Sequence, residues 1–75
     1  MTREAREIFI RGWVHLSLWD DHEETVSIVT ACGDEYIVKP SPRADELQDY
    51  LDLEVEARGR TWDDRGRMIL SLFRF

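Results

Sequence analysis

The stretch that decides the fold is residues 8–19, IFIRGWVHLSLW, in which two kinds of side chain alternate. One set of alternate positions is aliphatic and is predicted to face inward: Ile8, Ile10, Val14, Leu16 and Leu18. The other set is predicted to face outward: Phe9, Arg11, Trp13, His15, Ser17 and Trp19. Because successive side chains of a strand point to opposite faces, this pattern predicts one long β-strand. Gly12 interrupts the inward set, which predicts a bulge or bend that lets one strand serve both halves of a small barrel.

The next segment predicts a loop followed by a hairpin. The loop is DDHEE (20–24), which breaks the alternation. Two short strands, at residues 25–31 and 36–39, flank the sequence CGDE (32–35). Gly and Asp adopt positive φ angles at low cost, so this sequence is predicted to be the hairpin turn.

A short amphipathic helix is predicted after the hairpin. Ser41 is a good N-cap, and Pro42 suits the first helical position because the N–H that it lacks needs no partner there. Apolar residues then recur at helical spacing: Ala44, Leu47 and Leu51. The helix is expected to run for about two to three turns and to end near Asp52.

Two more strands are predicted in the last part of the chain. The fourth begins at Leu53 and alternates toward Trp62, and DDRG (63–66) predicts a second hairpin turn. The fifth strand has one apolar face made of Met68, Leu70 and Leu72. Its other face carries Ile69, Ser71, Phe73 and Phe75. The third strand leaves two alternatives open, because the residues facing the core are either Tyr36 and Val38, or Ile37 alone.

This order of elements predicts a mainly β protein, a five-stranded antiparallel barrel with one helix between strands 3 and 4. Over residues 8–75 it resembles the OB (oligonucleotide/oligosaccharide-binding) fold, whose small barrels bind their ligands on one face and its loops. An SH3-like barrel is the main competitor, but it lacks a helix at this point. The chain is expected to be a single OB-like domain over residues 1–75, with residues 1–7 as a flexible N-terminal segment.

Charge is distributed unevenly along the 75 residues, which carry a net charge of −6. Residues 20–56 hold 12 acids against only Lys39 and Arg43, a net of −10. Residues 57–75 hold five arginines against two aspartates, a net of +3, and residues 1–19 have a net of +1. An acidic middle next to an arginine-bearing last hairpin favours a charged protein partner, or another copy of the chain, over a phosphate backbone.

Composition excludes several classes of protein. Cys32 is the only cysteine, so neither an internal disulfide nor a thiolate zinc cluster is expected. No apolar run approaches the roughly 20 residues of a membrane span, and the charged start of the chain does not resemble a signal peptide. We therefore expect a cytoplasmic protein that contacts no membrane and needs no cofactor.

The first candidate function is a protein-interaction or self-association module. Strands 1 and 5 can be neighbours in an OB-like barrel, so their outward aromatic residues could form one apolar patch with arginine beside it, as binding hot spots do. The residues of this predicted surface are Phe9, Arg11, Trp13, Trp19, Phe73 and Phe75, flanked by Arg74. The alternative for each of them is burial in the core of a small barrel with poorly separated faces.

The second candidate function is single-stranded nucleic-acid binding, which needs stacking rings and basic groups along one groove. The residues that could supply them are Trp13, Trp19, Tyr36, Lys39, Arg58, Arg60, Trp62, Arg65 and Arg67. Four acids in the loop at residues 20–24 would repel phosphate at the usual rim of that groove, so the charge disfavours this function.

Neither a metal site nor an enzyme is predicted. The acidic loop at residues 20–24 matches no calcium-binding spacing and is interpreted as solvated. His15 and Ser17 lie two apart on one strand face, but the sequence suggests no third catalytic member and contains no phosphate loop or dinucleotide motif.

Overall fold

The long first strand is the frame of the computed structural model, which describes residues 4–75. The elements follow in this order: β1 (Arg6–Leu18), β2 (Glu24–Thr30), β3 (Glu35–Val38), α1 (Pro42–Leu47), a 3₁₀ turn (Gln48–Tyr50), β4 (Glu54–Asp64) and β5 (Arg67–Arg74). The pairings close them into a barrel in the order β1-β2-β3-β5-β4. The chain is therefore a mainly β, five-stranded closed barrel with one α-helix in the part that the structure describes.

Gly12 lets β1 belong to both halves of the barrel. Residues 6–13 of β1 pair with β4 and residues 12–18 pair with β2, so Gly12 lies in both ladders, opposite Val55 on one side and Thr30 on the other. A Cβ at this position would collide with the carbonyl oxygen of Val29. The prediction that Gly12 lets β1 serve both halves is confirmed, but neither ladder shows a register shift there, so the glycine is needed for a close approach of two backbones and not for a bulge.

The sheet is mixed, so the prediction of a purely antiparallel barrel was wrong. β3 and β5 pair in parallel, with Tyr36 opposite Met68 and Val38 opposite Leu70, whereas the other four pairs are antiparallel. The physical reason is parity, because the directions of five strands cannot alternate around a closed ring without one repetition. The repetition falls where β5 lies beside β3 after the long connection through α1 and β4, as parallel pairing requires.

The helix begins as predicted but ends early. Ser41 Oγ accepts a hydrogen bond of 3.1 Å from the Ala44 N–H, and Pro42 occupies the first turn. The α-helix stops at Leu47 and continues only as the 3₁₀ turn, not to Asp52 as the spacing predicts. Ala44 and Leu47 are buried in the barrel core. None of the helices in residues 4–75 has the length and apolar character to cross a membrane.

The helix ends early because the chain turns to bind β1. Asp52 has a φ of 65°, its N–H donates to the Val14 carbonyl at 2.8 Å, and the Val14 N–H donates to the Leu53 carbonyl at 3.0 Å. Leu51, predicted on the buried helix face, instead bridges to Val14 and is 37% exposed.

Both predicted hairpins are confirmed. Gly33, with a φ of 90°, turns between β2 and β3, where its N–H donates to the Thr30 carbonyl. Arg65 and Gly66, with φ angles of 57° and 85°, form a two-residue turn between β4 and β5. Two successive positive φ angles are typical of a type I′ turn, which matches the twist of the strands it joins.

The core cluster shows which residues of β3 face inward, and these are Tyr36 and Val38. The whole cluster comprises Ile10, Val14, Val26, Ile28, Tyr36, Val38, Ala44, Leu47, Ala57, Leu70 and Leu72. Leu16 and Leu18 share the face of Val14, as predicted, but they are not part of the core, because they are 57% and 60% exposed. They lie beyond the point where pairing with β4 ends, so no strand within residues 4–75 covers them on that side.

The segment predicted to be flexible overlaps the first strand. Arg6 and Glu7 pair with Thr61 and Arg60 of β4, so β1 begins two residues before its predicted start. Residues 1–3 of the predicted flexible segment lie outside the described residues.

Candidate interaction surface

Two exposed phenylalanines lie on the outer surface of β1, β4 and β5, each next to an arginine of β4. Phe9 is opposite Arg58 in the β1–β4 ladder, and the Arg58 guanidinium carbon lies 6.0 Å from the centroid of its ring. The Arg60 guanidinium carbon lies 5.9 Å from the ring centroid of Phe73. Phe9 is 58% exposed and Phe73 is 42% exposed. These distances are at the outer limit of cation–π contact.

A bulge opposite Gly59 changes the cross-strand neighbours of Phe73. The β4–β5 register shifts between Arg58 and Gly59, so that Arg74 and Leu72 are paired and Phe73 between them is not. A Cβ at Gly59 would collide with the Ser71 carbonyl oxygen, which is why a glycine stands at the irregularity. Phe73 faces outward because it alternates with the buried Leu72, and the bulge leaves it without a cross-strand partner, near Arg60.

Phe75 extends the surface toward the 3₁₀ turn. Its ring packs edge-to-face on Tyr50, with the two centroids 5.1 Å apart and an angle of 77° between the planes. A shallow depression of about 310 Å³ lies beside it, and its lining is made of Phe9, Glu56, Arg58, Arg74 and Phe75. We call the surface made of these residues the arginine–aromatic face: Phe9, Arg58, Arg60, Phe73, Arg74 and Phe75.

Arg11 differs from the other arginines of this surface because it forms an ion pair. Its Nη2 donates to Glu56 Oε2 at 2.9 Å, and this hydrogen bond, together with the charges of Glu56 and Glu54, raises the pKa of Arg11 above its ordinary value. Among residues 4–75 no such ion pair is found for Arg58, Arg60 or Arg74. Their charges are therefore the ones that this surface offers to a partner.

The structure brings together most of the predicted interaction surface. Phe9, Arg11, Trp13, Phe73 and Phe75 share the outer side of β1, β4 and β5, and Trp13 is 40% exposed at its end. Sequence reasoning left Arg58 and Arg60 out of this surface, although they belong to it. The signal that could have found them is the alternation of β4 opposite β1, which places them beside the outward residues of β1.

The structure does not place Trp19 beside the other predicted residues of that surface. It lies in the β1–β2 loop, where Arg67 Nη1 donates to its carbonyl at 3.2 Å and Nη2 donates to the Leu18 carbonyl at 3.4 Å. The Arg67 guanidinium carbon is 5.9 Å from the centroid of the Trp19 ring. Arg67 and Ile69 are two apart on β5 and share its outer side, so Arg67 ties the loop to the outer side of β5.

Residues on the outer side of β2, β3 and β5 are also shielded from solvent. Ser27, Ile37 and Ile69 point away from the core cluster, yet they are only 0%, 8% and 1% exposed. The Oγ of Ser27 has no hydrogen-bond partner among the described residues. A buried hydroxyl without a partner costs stability, because it has lost its hydrogen bonds to water.

Replacing Ser27 by alanine should leave the free energy of unfolding unchanged or raise it by roughly 1 kcal/mol, because no bond is lost. The matched control is Thr25→Val on the same strand, where the buried Thr25 Oγ1 donates to the Val38 carbonyl at 2.6 Å. That variant should lose roughly 1 kcal/mol in urea denaturation. Equal losses in both variants would show that Ser27 is bonded after all.

The residues of the predicted nucleic-acid surface are scattered. Tyr36 is 6% exposed in the core and cannot stack on a base, and Trp62 is half-buried on β4. Lys39 follows β3, Arg65 lies in the last turn, and Arg67 binds the β1–β2 loop. Of this set, Arg58 and Arg60 lie on the arginine–aromatic face, and Trp13 lies at the end of the same surface.

The acidic loop between β1 and β2 is held by hydrogen bonds within the loop, chiefly to the Asp20 carboxylate. Asp20 Oδ1 accepts hydrogen bonds of 2.8 Å from the N–H groups of His22 and Glu23, and the Trp19 N–H donates to the Glu23 carbonyl. No group of three potential metal ligands is found within residues 4–75. The Asp20 carboxylate thus caps the loop, as aspartate commonly does.

Comparison with protein-family models, with curated proteins and with solved structures found no match to the chain.

Proposed function

We propose that this chain is a non-enzymatic binding module of the OB type, and that its arginine–aromatic face binds an acidic, partly apolar segment of another protein. The observation that carries the proposal is the pair of exposed rings, Phe9 and Phe73, each beside an arginine without an ion-pair partner among the described residues. Aromatic residues with arginine are the composition of binding hot spots, where burial of the rings supplies affinity and charge supplies specificity.

The OB assignment rests on topology. A five-stranded Greek-key barrel in the order β1-β2-β3-β5-β4, with one helix plugging its core, is the layout of that fold. We place the protein in the cytoplasm, where the exposed Cys32 would remain reduced.

An acidic protein segment fits the face better than nucleic acid does. Glu54 and Glu56 line the same side of β4, and Glu7 lies opposite Arg60. Each carboxylate repels a continuous phosphate backbone, whereas a protein segment places its few charges only where the arginines are.

The test is the affinity for a short fluorescein-labelled peptide of alternating Glu and Phe residues, measured by fluorescence anisotropy. We expect the double variant Arg58→Glu/Arg60→Glu to weaken binding by about a hundredfold, because reversed charges repel the peptide across the interface. The charge-matched control is Arg43→Glu/Arg65→Glu, which alters exposed arginines of α1 and the last turn and should bind as the unmodified protein does. Equal affinities for both double variants would contradict the proposal.

Single-stranded nucleic acid is the second candidate, favoured by one observation: the exposed rings of Phe9 and Phe73 next to arginine could stack on bases. A labelled oligothymidine at low salt tests it, because electrostatic attraction is strongest there. Binding that disappears in Arg58→Glu/Arg60→Glu would establish this function in place of the first. No binding at low salt would eliminate it.

Self-association is the form of this proposal in which the acidic segment belongs to a second copy of the chain. The exposed acids of α1 and the 3₁₀ turn would supply it: Asp45, Glu46 and Asp49. Light scattering should then give a mass above that of the monomer, and Arg58→Glu/Arg60→Glu should restore the monomer. If the unmodified protein is a monomer at high concentration, self-association is excluded.

A further inference from the structure

The last residues of β1 form an open strand edge. β1 pairs with β4 only up to Trp13, and from His15 to Leu18 it pairs with β2 alone. The N–H and C=O of Val14 point toward the side that β4 leaves, where they bond to Leu53 and Asp52. Because backbone groups alternate in direction along a strand, those of Leu16 point to the same side, and no residue in 4–75 pairs with them there.

Leucine side chains surround this edge. Leu16 and Leu18 are 57% and 60% exposed on the strand itself. Leu53 and Leu51, which meet β1 at Val14, are 54% and 37% exposed. Proteins usually protect an open edge with lysine, proline or a bulge, because an unprotected edge recruits another strand. Residues 15–18 contain no lysine, proline or bulge; the Leu18 carbonyl accepts a hydrogen bond of 3.4 Å from Arg67, and the Leu16 backbone groups remain unpaired among apolar side chains.

The surroundings of the edge are acidic. The loop that follows β1 presents exposed Asp20, Asp21 and Glu23, and the segment that meets β1 at Val14 presents exposed Asp49 and Asp52. Between residues 20 and 38 the chain contains no lysine or arginine. One cation, the Arg67 guanidinium on the Leu18 and Trp19 carbonyls, lies at the loop end against three exposed acids. An extended segment lying along the edge would therefore meet an excess of negative charge at both of its ends.

We propose that the edge at residues 15–18 is a second binding site, which takes an extended segment of another protein with alternating apolar and basic residues. The segment adds as a strand beside β1, so that its backbone bonds Leu16 while its apolar side chains cover the leucines. Its basic residues face the acids at both ends. A second copy of this chain does not fit, since its own edge carries the same acids. This site is separate from the arginine–aromatic face and does not depend on it.

A labelled peptide of alternating Val and Lys residues tests the site by anisotropy and by amide hydrogen exchange. We expect binding that weakens as salt rises, together with slower exchange of the Leu16 N–H in the complex. Leu16→Thr/Leu18→Thr should weaken this binding by about tenfold or more, because apolar contact is lost. The same variant should bind the Glu–Phe peptide normally, which separates failure of this site from failure of the arginine–aromatic face.

Two altered peptides are the matched controls. The Val–Lys peptide methylated on every backbone nitrogen keeps its charge and apolar side chains but has no N–H on either edge to donate to a neighbouring strand, and it should not bind. Alternating Val and Glu keeps the backbone and reverses the charge, and it should not bind either. Equal binding of either control would overturn the proposal. A protein dimer with a protected Leu16 N–H in the absence of peptide would overturn it in favour of a second copy.

Discussion

Replacing Gly12 by valine should lower the free energy of unfolding by about 3 kcal/mol, a large fraction of the stability of so small a domain. A Cβ at this position would collide with the Val29 carbonyl oxygen and would lie 2.8 Å from the Val29 carbonyl carbon and 2.9 Å from Ile28 Cγ2. Two of these atoms belong to the backbone of β2, which cannot move away without breaking the β1–β2 ladder. Strand β1 would then no longer bridge the two halves of the barrel.

Thermal and urea denaturation measure this effect. At about 4–8 °C per kcal/mol for a domain of this size, the loss corresponds to a fall in Tm on the order of 12–24 °C. Gly33→Ala is the control, since its new Cβ meets no atom within 4 Å and only the φ of 90° is unfavourable. It should cost roughly 1 kcal/mol. A Gly12→Val protein as stable as Gly33→Ala would refute the role given to this glycine.

Replacing Leu47 by alanine should cost about 3 kcal/mol, because its side chain is fully buried and the truncation leaves a cavity in the barrel core. The helix depends on this contact. With six residues it is too short to persist alone, and its buried residues are Ala44 and Leu47. We expect the amides of α1 to exchange much faster in Leu47→Ala than in the unmodified protein.

Leu18→Ala is the matched control, since it makes the same truncation at a side chain that is 60% exposed. It should change the free energy of unfolding by no more than about 0.5 kcal/mol. If both variants unfold at the same urea concentration, Leu47 does not anchor the helix.

Local patterns predicted most of the fold correctly because they report local physics. The period of two in β1 up to Val14, the Ser41 cap and the turn at Gly66 each depend on a few neighbouring residues, and each is found in the structure. The parallel pairing of β3 with β5 is not a local property. It could nevertheless have been deduced from a closed barrel of five strands, in which strict alternation is impossible.

Exposure at the end of β1 could not be predicted from its pattern. Leu16 and Leu18 continue the aliphatic alternation, but their burial depends on whether β4 extends that far. The chain turns at Asp52 instead, and β4 reaches only Trp13. A periodic pattern gives the parity of a face and not the length over which a neighbouring strand covers it.

The site was predicted in part for the same reason. The rings of Phe9 and Phe73 follow from strand parity, but their arginine neighbours depend on the β1–β4 register and on the bulge at Gly59. The position of Trp19 could not be predicted from strand parity, because β1 ends at Leu18. Its carbonyl is instead bound by Arg67, which is distant in the sequence.

An NMR titration of the Glu–Phe peptide into isotopically labelled protein tests most directly whether the arginine–aromatic face is the binding surface. We expect the largest chemical-shift changes at Phe9, Arg58, Arg60 and Phe73, with little change in the covered outer side of β2 and β3. Changes confined to the β1–β2 loop and to β2 and β3, with the arginine–aromatic face unaltered, would contradict the proposed function.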